Sequence, residues 1–287
     1  SRRSIVGCHA ASHPGFRAHR RLVGDDPAAK SSSLPCASER SLAALSMPVF
    51  FPRNATEVVT FGLHAVALSR ASGCWSSMKV TADVADGLWT LSDDFAGLEI
   101  RVPQIEWEGR PWTYRQRLLL APPDSLLAEA DLYGPRWAMV TAFADANEVD
   151  RIEVPTREAW LGIVAVGAAY DTVCDALGQL GVGPDRLAAA GIRILRIGMP
   201  YPLGVRRIRE LADGVEQVLV VEDNELNREI AIELLSSAGI WVDSVENGLQ
   251  AVRKMEQSEE GYYDMIFMDI HMPVMNGYEA TEQIRSL

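Results

Sequence analysis

At 287 residues the chain is long enough for two domains, each with its own core. A hydrophobic content of 48% with 23% charged residues is ordinary for a soluble globular protein; no run of about 18 apolar residues suggests a membrane span, and no apolar signal-peptide core suggests export, so a cytoplasmic protein is expected. The net charge of −12 is concentrated in residues 217–287, which carry −10, so no folded segment is strongly basic and nucleic-acid binding is not expected.

Residues 1–23 contain five arginines, His9, His13 and His19, no acid and no periodicity, and read as a disordered basic leader. GDDPAAKSSSLPCASER, from Gly24, is a polar loop of small residues. Met47 to Phe51 is a short apolar run closed by Pro52 and predicts a buried strand. Asn54 or Thr56 caps a helix that runs to about Ser72 and stops at Gly73. Residues 80–123, interrupted by Gly87, Gly97, Pro103, Gly109 and Pro111, predict a β-rich insertion, and 124–147 a helical stretch. The four cysteines, Cys8, Cys36, Cys74 and Cys174, are scattered without C-x-x-C spacing and suit reduced structural thiols.

From Trp160 the pattern becomes regular. Strands are expected near 161–166, 192–197, 217–222, 240–245 and 264–269, with helices between, including Tyr170–Gln179 and Leu203–Ala212. Short apolar runs alternating with helical segments imply an α/β fold with a parallel sheet. Residues 213–223 hold one Gly and no Pro or Ser, so no linker is visible and one strand over 217–222 is expected to serve both halves.

Two of these strands end in acids. Val218–Val221 runs into Glu222 and Asp223, and Met265–Met268 runs into Asp269, followed by Pro273 and Gly277. In an open parallel sheet, functional loops sit at the carboxyl ends of the strands where strand order reverses. Three carboxylates brought together there repel one another and call for a divalent cation, for which hard oxygen ligands at a partly open site suit Mg2+.

VLVVEDNELNREIAIELLSSAG, VDSVENGLQAV and YYDMIFMDIHMPVMNGYEAT resemble the receiver (CheY-like, flavodoxin-like) domain of two-component response regulators, most closely receivers on hybrid histidine kinases. The resemblance covers residues 217–287. It implies a phosphorelay: Asp269 as phosphoacceptor, Glu222, Asp223, Asp269 and the backbone carbonyl of His271 as Mg2+ ligands, and a histidine kinase or phosphotransfer domain as partner. The family's Thr or Ser after the fourth strand and Lys after the fifth have no counterpart in these 287 residues, so a truncated receiver is expected.

GDDPAAKSSSLPCASE, MPVFFPRNATEVVTFGLHAVALSRASGCW, KVTADVADG, AWLGIVAVGAAYDTV and GIRILRIGMPYPL with VEQVLVVE are similar to indolepyruvate:ferredoxin oxidoreductases, of the thiamine-diphosphate-dependent 2-oxoacid:ferredoxin oxidoreductase family. The resemblance covers residues 24–222. It implies the end of a pyrimidine-binding-type domain over 24–79, a β-rich linker region with a helix over 80–150, and a transketolase C-terminal-like segment over 151–216. Family enzymes bind thiamine diphosphate and iron–sulfur clusters and work with partner subunits and ferredoxin. The activating acid, the diphosphate-binding domain and the cluster cysteines are not in this sequence, so neither cofactor is expected to bind. Asp25, Asp26, Asp83 and Asp86 read as solvated loop acids, with a catalytic role as the alternative, Lys30 as a solvated lysine or a phosphate contact, and His64 as a packed or capping residue.

The two resemblances meet at VLVVED, where both families want an apolar strand ending in acids. A gene fusion and an accidental join of unrelated genes both explain that. The functional expectation is a receiver joined to a non-catalytic oxidoreductase fragment. The alternatives are a 2-oxoacid:ferredoxin oxidoreductase subunit fragment and an inert chimera.

Overall fold

A computed structural model describes residues 20–25, 38–91, 95–116, 121–156, 161–212, 217–221, 225–237, 239–269 and 272–287. The first half runs β1 (Arg20–Asp25), α1 (Glu39–Ala44), β2 (Val49–Phe50), α2 (Ala55–Ser72), β3 (Ser76–Thr81), α3 (Ala82–Asp86), β4 (Ile105–Trp107), β5 (Arg110–Trp112), α4 (Asp124–Asp131) and α5 (Trp137–Ala146). Then follow β6 (Arg151–Val154), β7 (Leu161–Val166), α6 (Ala169–Gln179), α7 (Pro184–Ala189), β8 (Ile192–Ile197) and α8 (Val205–Leu211). The chain continues through β9 (Gln217–Val221), α9 (Glu225–Ser237), β10 (Trp241–Val245), α10 (Gly248–Gln257), β11 (Met265–Met268) and α11 (Gly277–Ile284). The sheets are ordered β1-β3-β2, β4-β5, β6-β8-β7 and β10-β9-β11. Among the described residues no helix is long and apolar enough to cross a membrane.

The chain forms two compact units. One comprises residues up to Arg151 with Val164–Gly181 and Arg196–Gly204; the other comprises Ile152–Ile163, Val182–Leu195 and Val205–Leu287. In the first, β1 and β2 both run parallel to β3. Helix α2 starts where the Asn54 side chain accepts from the Glu57 amide at 3.0 Å. It stops at Gly73, whose φ of 72° is left-handed and whose missing side chain leaves room for the Tyr114 ring. The core beneath it joins Phe50, Phe61, Leu68, Val140, Phe143 and Met199. Full burial of each such side chain contributes about 1.5–3 kcal/mol. Glu57 is held by Arg53 Nε at 3.2 Å and by buried Arg196 Nη1 at 3.0 Å, so its charge is paired on two sides.

Most expected elements are present, with four differences. The strand at 217–222 does not serve both halves. β9 is paired on one edge by β10 and on the other by β11, so neither edge is left for β8, which lies between β6 and β7 in a separate sheet. Residues 80–123 are poorer in strand than expected. Beyond the end of β3, the described part holds α3, a 3-10 turn over Phe95–Gly97 and one short hairpin, β4-β5, which turns through Glu108 and Gly109 at positive φ. The stretch 124–147 is helical but broken by a π turn over Leu132–Arg136. Pro135 supplies no N–H there, and Gly134 leaves helical geometry at φ −101°, ψ −110°. Finally, Arg20–Asp25, at the end of the basic segment, is strand β1, templated by β3 rather than by any apolar run of its own. Residues 1–19, with the three leader histidines, lie outside the described residues.

Candidate functional site

The β10-β9-β11 sheet is parallel, with Val221 opposite Val245 on one side and Met268 on the other. The chain leaves β9, crosses through α9 to β10, and returns through α10 to β11 on the opposite flank. Strand order therefore reverses between β9 and β11, and a crevice at such a reversal opens at the carboxyl ends. Asp269 is the first residue past β11 and is half-buried. By register, Val221, the residue before Glu222, lies beside Met268, the residue before Asp269. Glu222, Asp223 and His271 lie outside the described residues, so Asp269 is the member of the expected ligand set that the structure places. Among the described residues no group of three or more His, Cys, Asp or Glu is arranged to hold a metal.

The loop that follows is tightly braced. A Cβ built on Gly277 would lie 2.3 Å from the Asp269 carbonyl oxygen, so only glycine lets α11 start against the end of β11. Asn276 caps α11, accepting from the Glu279 amide at 2.9 Å, while the Glu279 carboxylate accepts from the Asn276 amide at 3.3 Å. Val274 sits at φ 72° while the Met275 amide donates to the Pro273 carbonyl at 2.9 Å, a tight three-residue turn. The Met275 carbonyl in turn accepts from the Gly248 amide at 3.2 Å. A Cβ on Gly248 would come within 2.7 Å of that carbonyl. Beneath the loop, Met272 and Ala251 are buried among Val245, Ile266, Met268 and Ile284.

On β10, Asp243 accepts from the Tyr263 hydroxyl at 2.5 Å and lies 3.1 Å from Lys254 Nζ. The Tyr263 donor, then Lys254, hold the Asp243 carboxyl below its ordinary range despite partial desolvation. Desolvation and the Asp243 charge raise the Tyr263 phenol well above its ordinary value. The reading of the sequence missed this cluster and the Gly248–Met275 brace. Asn247-Gly248, a cap followed by glycine, was the available signal for the brace.

The other singled-out residues are placed as follows. His64 is buried, with Nδ1 2.7 Å from the Thr60 carbonyl and its ring edge-on to Phe61 and Phe143. Burial lowers its pKa, consistent with a neutral core histidine. Asp83 and Asp86 are exposed on α3, Asp25 ends β1, and Asp26 and Lys30 lie outside the described residues. Cys74 and Cys174 are free thiols; Cys8 and Cys36 lie outside the described residues.

The three-stranded parallel sheet β10-β9-β11 thus carries an acid directly past the strand at the reversal of order. Residues 218–287 match the family model of the response regulator receiver domain. A hybrid signal transduction histidine kinase L of Dictyostelium discoideum is 45% identical over 69 residues, which cover 24% of this chain and 4% of that protein. The receiver domain of a sensor histidine kinase from Pseudomonas aeruginosa, whose crystal structure has magnesium in the active-site cleft, is 42% identical, covers 25% of this chain and 57% of its own, and superposes with a TM-score of 0.24. The indolepyruvate oxidoreductase subunit IorA of Methanothermobacter thermautotrophicus is 27% identical over 218 residues, covering 76% of this chain and 32% of that subunit. The C-terminal part thus resembles a two-component receiver, and the part before it resembles a 2-oxoacid:ferredoxin oxidoreductase. The chain spans only 4% and 32% of the length of the two curated relatives named above.

Proposed function

We propose that residues 217–287 act as a phosphorelay receiver in which Asp269 accepts a phosphoryl group from a histidine kinase or phosphotransfer domain. The observation that carries this reading is the pairing of Met268 with Val221 across the reversal of strand order, which sets Asp269 at the carboxyl edge of the sheet. An Asp269 carboxylate oxygen forms the new bond to phosphorus as the bond to the donor's imidazole nitrogen breaks, and the departing imidazole takes up a proton. Glu222, Asp223, Asp269 and the His271 carbonyl would hold Mg2+, an all-oxygen donor set suited to a hard cation. Magnesium, if bound there, would neutralise charge on the transferred phosphoryl oxygens. Gly277 and the Gly248–Met275 hydrogen bond fix the backbone on which Asp269 is presented.

The test is incubation of the full chain with a small phosphodonor, read by intact mass, with and without magnesium. One added phosphoryl group that requires magnesium and disappears in Asp269→Asn supports the reading. Phosphorylation that persists in Asp269→Asn contradicts it.

The IorA likeness over 218 residues supports a second reading for the remainder, a fragment of a 2-oxoacid:ferredoxin oxidoreductase that would need partner subunits to act. On this reading the isolated chain neither binds thiamine diphosphate tightly nor carries an iron–sulfur cluster. Micromolar thiamine diphosphate binding by calorimetry, or visible cluster absorbance after reconstitution, would overturn it.

A further inference from the structure

In the first unit, a cavity of about 230 Å3 is lined by Arg21, Leu45, Ser46, Met47, Cys74, Trp75, Leu132 and Arg136. Two of these residues are cations and none is a carboxylate. Arg21 lies over the Trp75 ring, its guanidinium carbon 5.2 Å from the centroid, and its Nε is buried without a hydrogen-bond partner among the described residues. Arg136 is fixed by two bonds, from Nε to the Ser72 carbonyl at 3.0 Å and from Nη2 to the Gly73 carbonyl at 2.6 Å, and it stacks over Tyr114. Those bonds use two of the five N–H groups of a guanidinium. Ser46 Oγ is paired with the Tyr133 hydroxyl at 3.0 Å, placing a neutral donor at the same wall.

Two like charges facing one small cavity repel each other, and a buried guanidinium N–H without an acceptor is unfavourable. A bound anion relieves both. Planar forks with spare donors match tetrahedral oxyanions, which accept several N–H bonds at once. Leu45, Met47, Leu132 and Trp75 leave apolar wall beyond the guanidiniums, and the volume lies below that of drug-sized ligand pockets, of a size for a small anion.

We propose that this cavity is a phosphate site, binding a phosphate dianion, free or as a small monoester, between Arg21 and Arg136. It is independent of the receiver reading, since none of its residues lies in 217–287.

The experiment is isothermal titration calorimetry of the full chain at low ionic strength with inorganic phosphate and with phenyl phosphate. The expected result is saturable binding of at least one of them, weakened about tenfold or more in Arg21→Gln, the loss of one charge-assisted contact. Tighter binding of phenyl phosphate would assign the apolar wall to an ester group, and equal or tighter binding of inorganic phosphate would assign the site to the free ion. Arg21→Lys keeps the charge but loses the fork and should bind with intermediate affinity, providing a second readout should Arg21→Gln fail to fold. No saturable binding of either ligand to the unmodified chain overturns the proposal, and so does binding that both variants leave unchanged.

Discussion

Asp150 is a buried carboxylate whose surroundings oppose its charge, and replacing it with asparagine isolates that effect. Its Oδ1 accepts from the amides of Gly198 at 2.8 Å and Met199 at 2.9 Å, while Oδ2 is buried with no partner among the described residues. Burial pushes the carboxyl up to about 6 from an ordinary 3.8, against the pull of the two amides and Arg196. A carboxyl raised on folding favours the folded state fully below its unfolded pKa, and that contribution is lost as pH rises through about 6. A shift of about two units corresponds to roughly 3 kcal/mol between the two limits. Asp150→Asn keeps an oxygen for both amides but places an N–H2 where Oδ2 found no partner, a pH-independent cost of about 1–3 kcal/mol. The variant should therefore be clearly less stable than the unmodified chain near pH 4, with the gap closing by roughly 3 kcal/mol toward pH 8. Urea unfolding followed by tryptophan fluorescence across that range measures the gap. Exchange of the Gly198 and Met199 amides reports the same unit directly if the two units unfold separately. A gap that stays constant from pH 4 to pH 8 would refute the argument.

Gly277→Ala forces a Cβ to within 2.3 Å of the Asp269 carbonyl unless the backbone moves; it should destabilise the C-terminal unit by about 1–3 kcal/mol and abolish phosphorylation at Asp269, checked by unfolding and intact mass. Val274→Gly should do the opposite: the exposed valine at φ 72° carries backbone strain that glycine lacks, and after the flexibility of glycine is counted a gain of about 0.5–1 kcal/mol in the same unfolding experiment is expected. Asn54→Ala removes the side-chain cap of α2 and should lower the stability of the first unit by about 1 kcal/mol, read from its urea midpoint.

Strands β7, β9 and β11 were legible because each is a short, mostly apolar run bounded by helical pattern, and α2 because Asn54 and Gly73 mark its ends. Strand β1, RRLVGD, was not, because its pairing is supplied by β3 and its own residues have no apolar periodicity. The allocation of β9 to one sheet was also hidden. An apolar run shows that a strand exists but not which neighbours take its two edges, and here β10 and β11 take both. At the candidate site, Asp269 and Gly277 were visible from their spacing past an apolar strand. The Gly248–Met275 brace and the Asp243–Tyr263 pair join residues 20 or more positions apart and emerge only once the chain has folded.

The central claim is that Asp269 is the residue that takes the phosphoryl group, and the most direct measurement locates the modification chemically. The full chain is treated with a small phosphodonor and magnesium, then with borohydride, which reduces an acyl phosphate to the alcohol and leaves free carboxylates intact. Peptide mass spectrometry then reads which aspartate has become homoserine. Conversion confined to Asp269, and dependent on magnesium, is the predicted result; conversion at another acid, with Asp269 unchanged, would contradict the account.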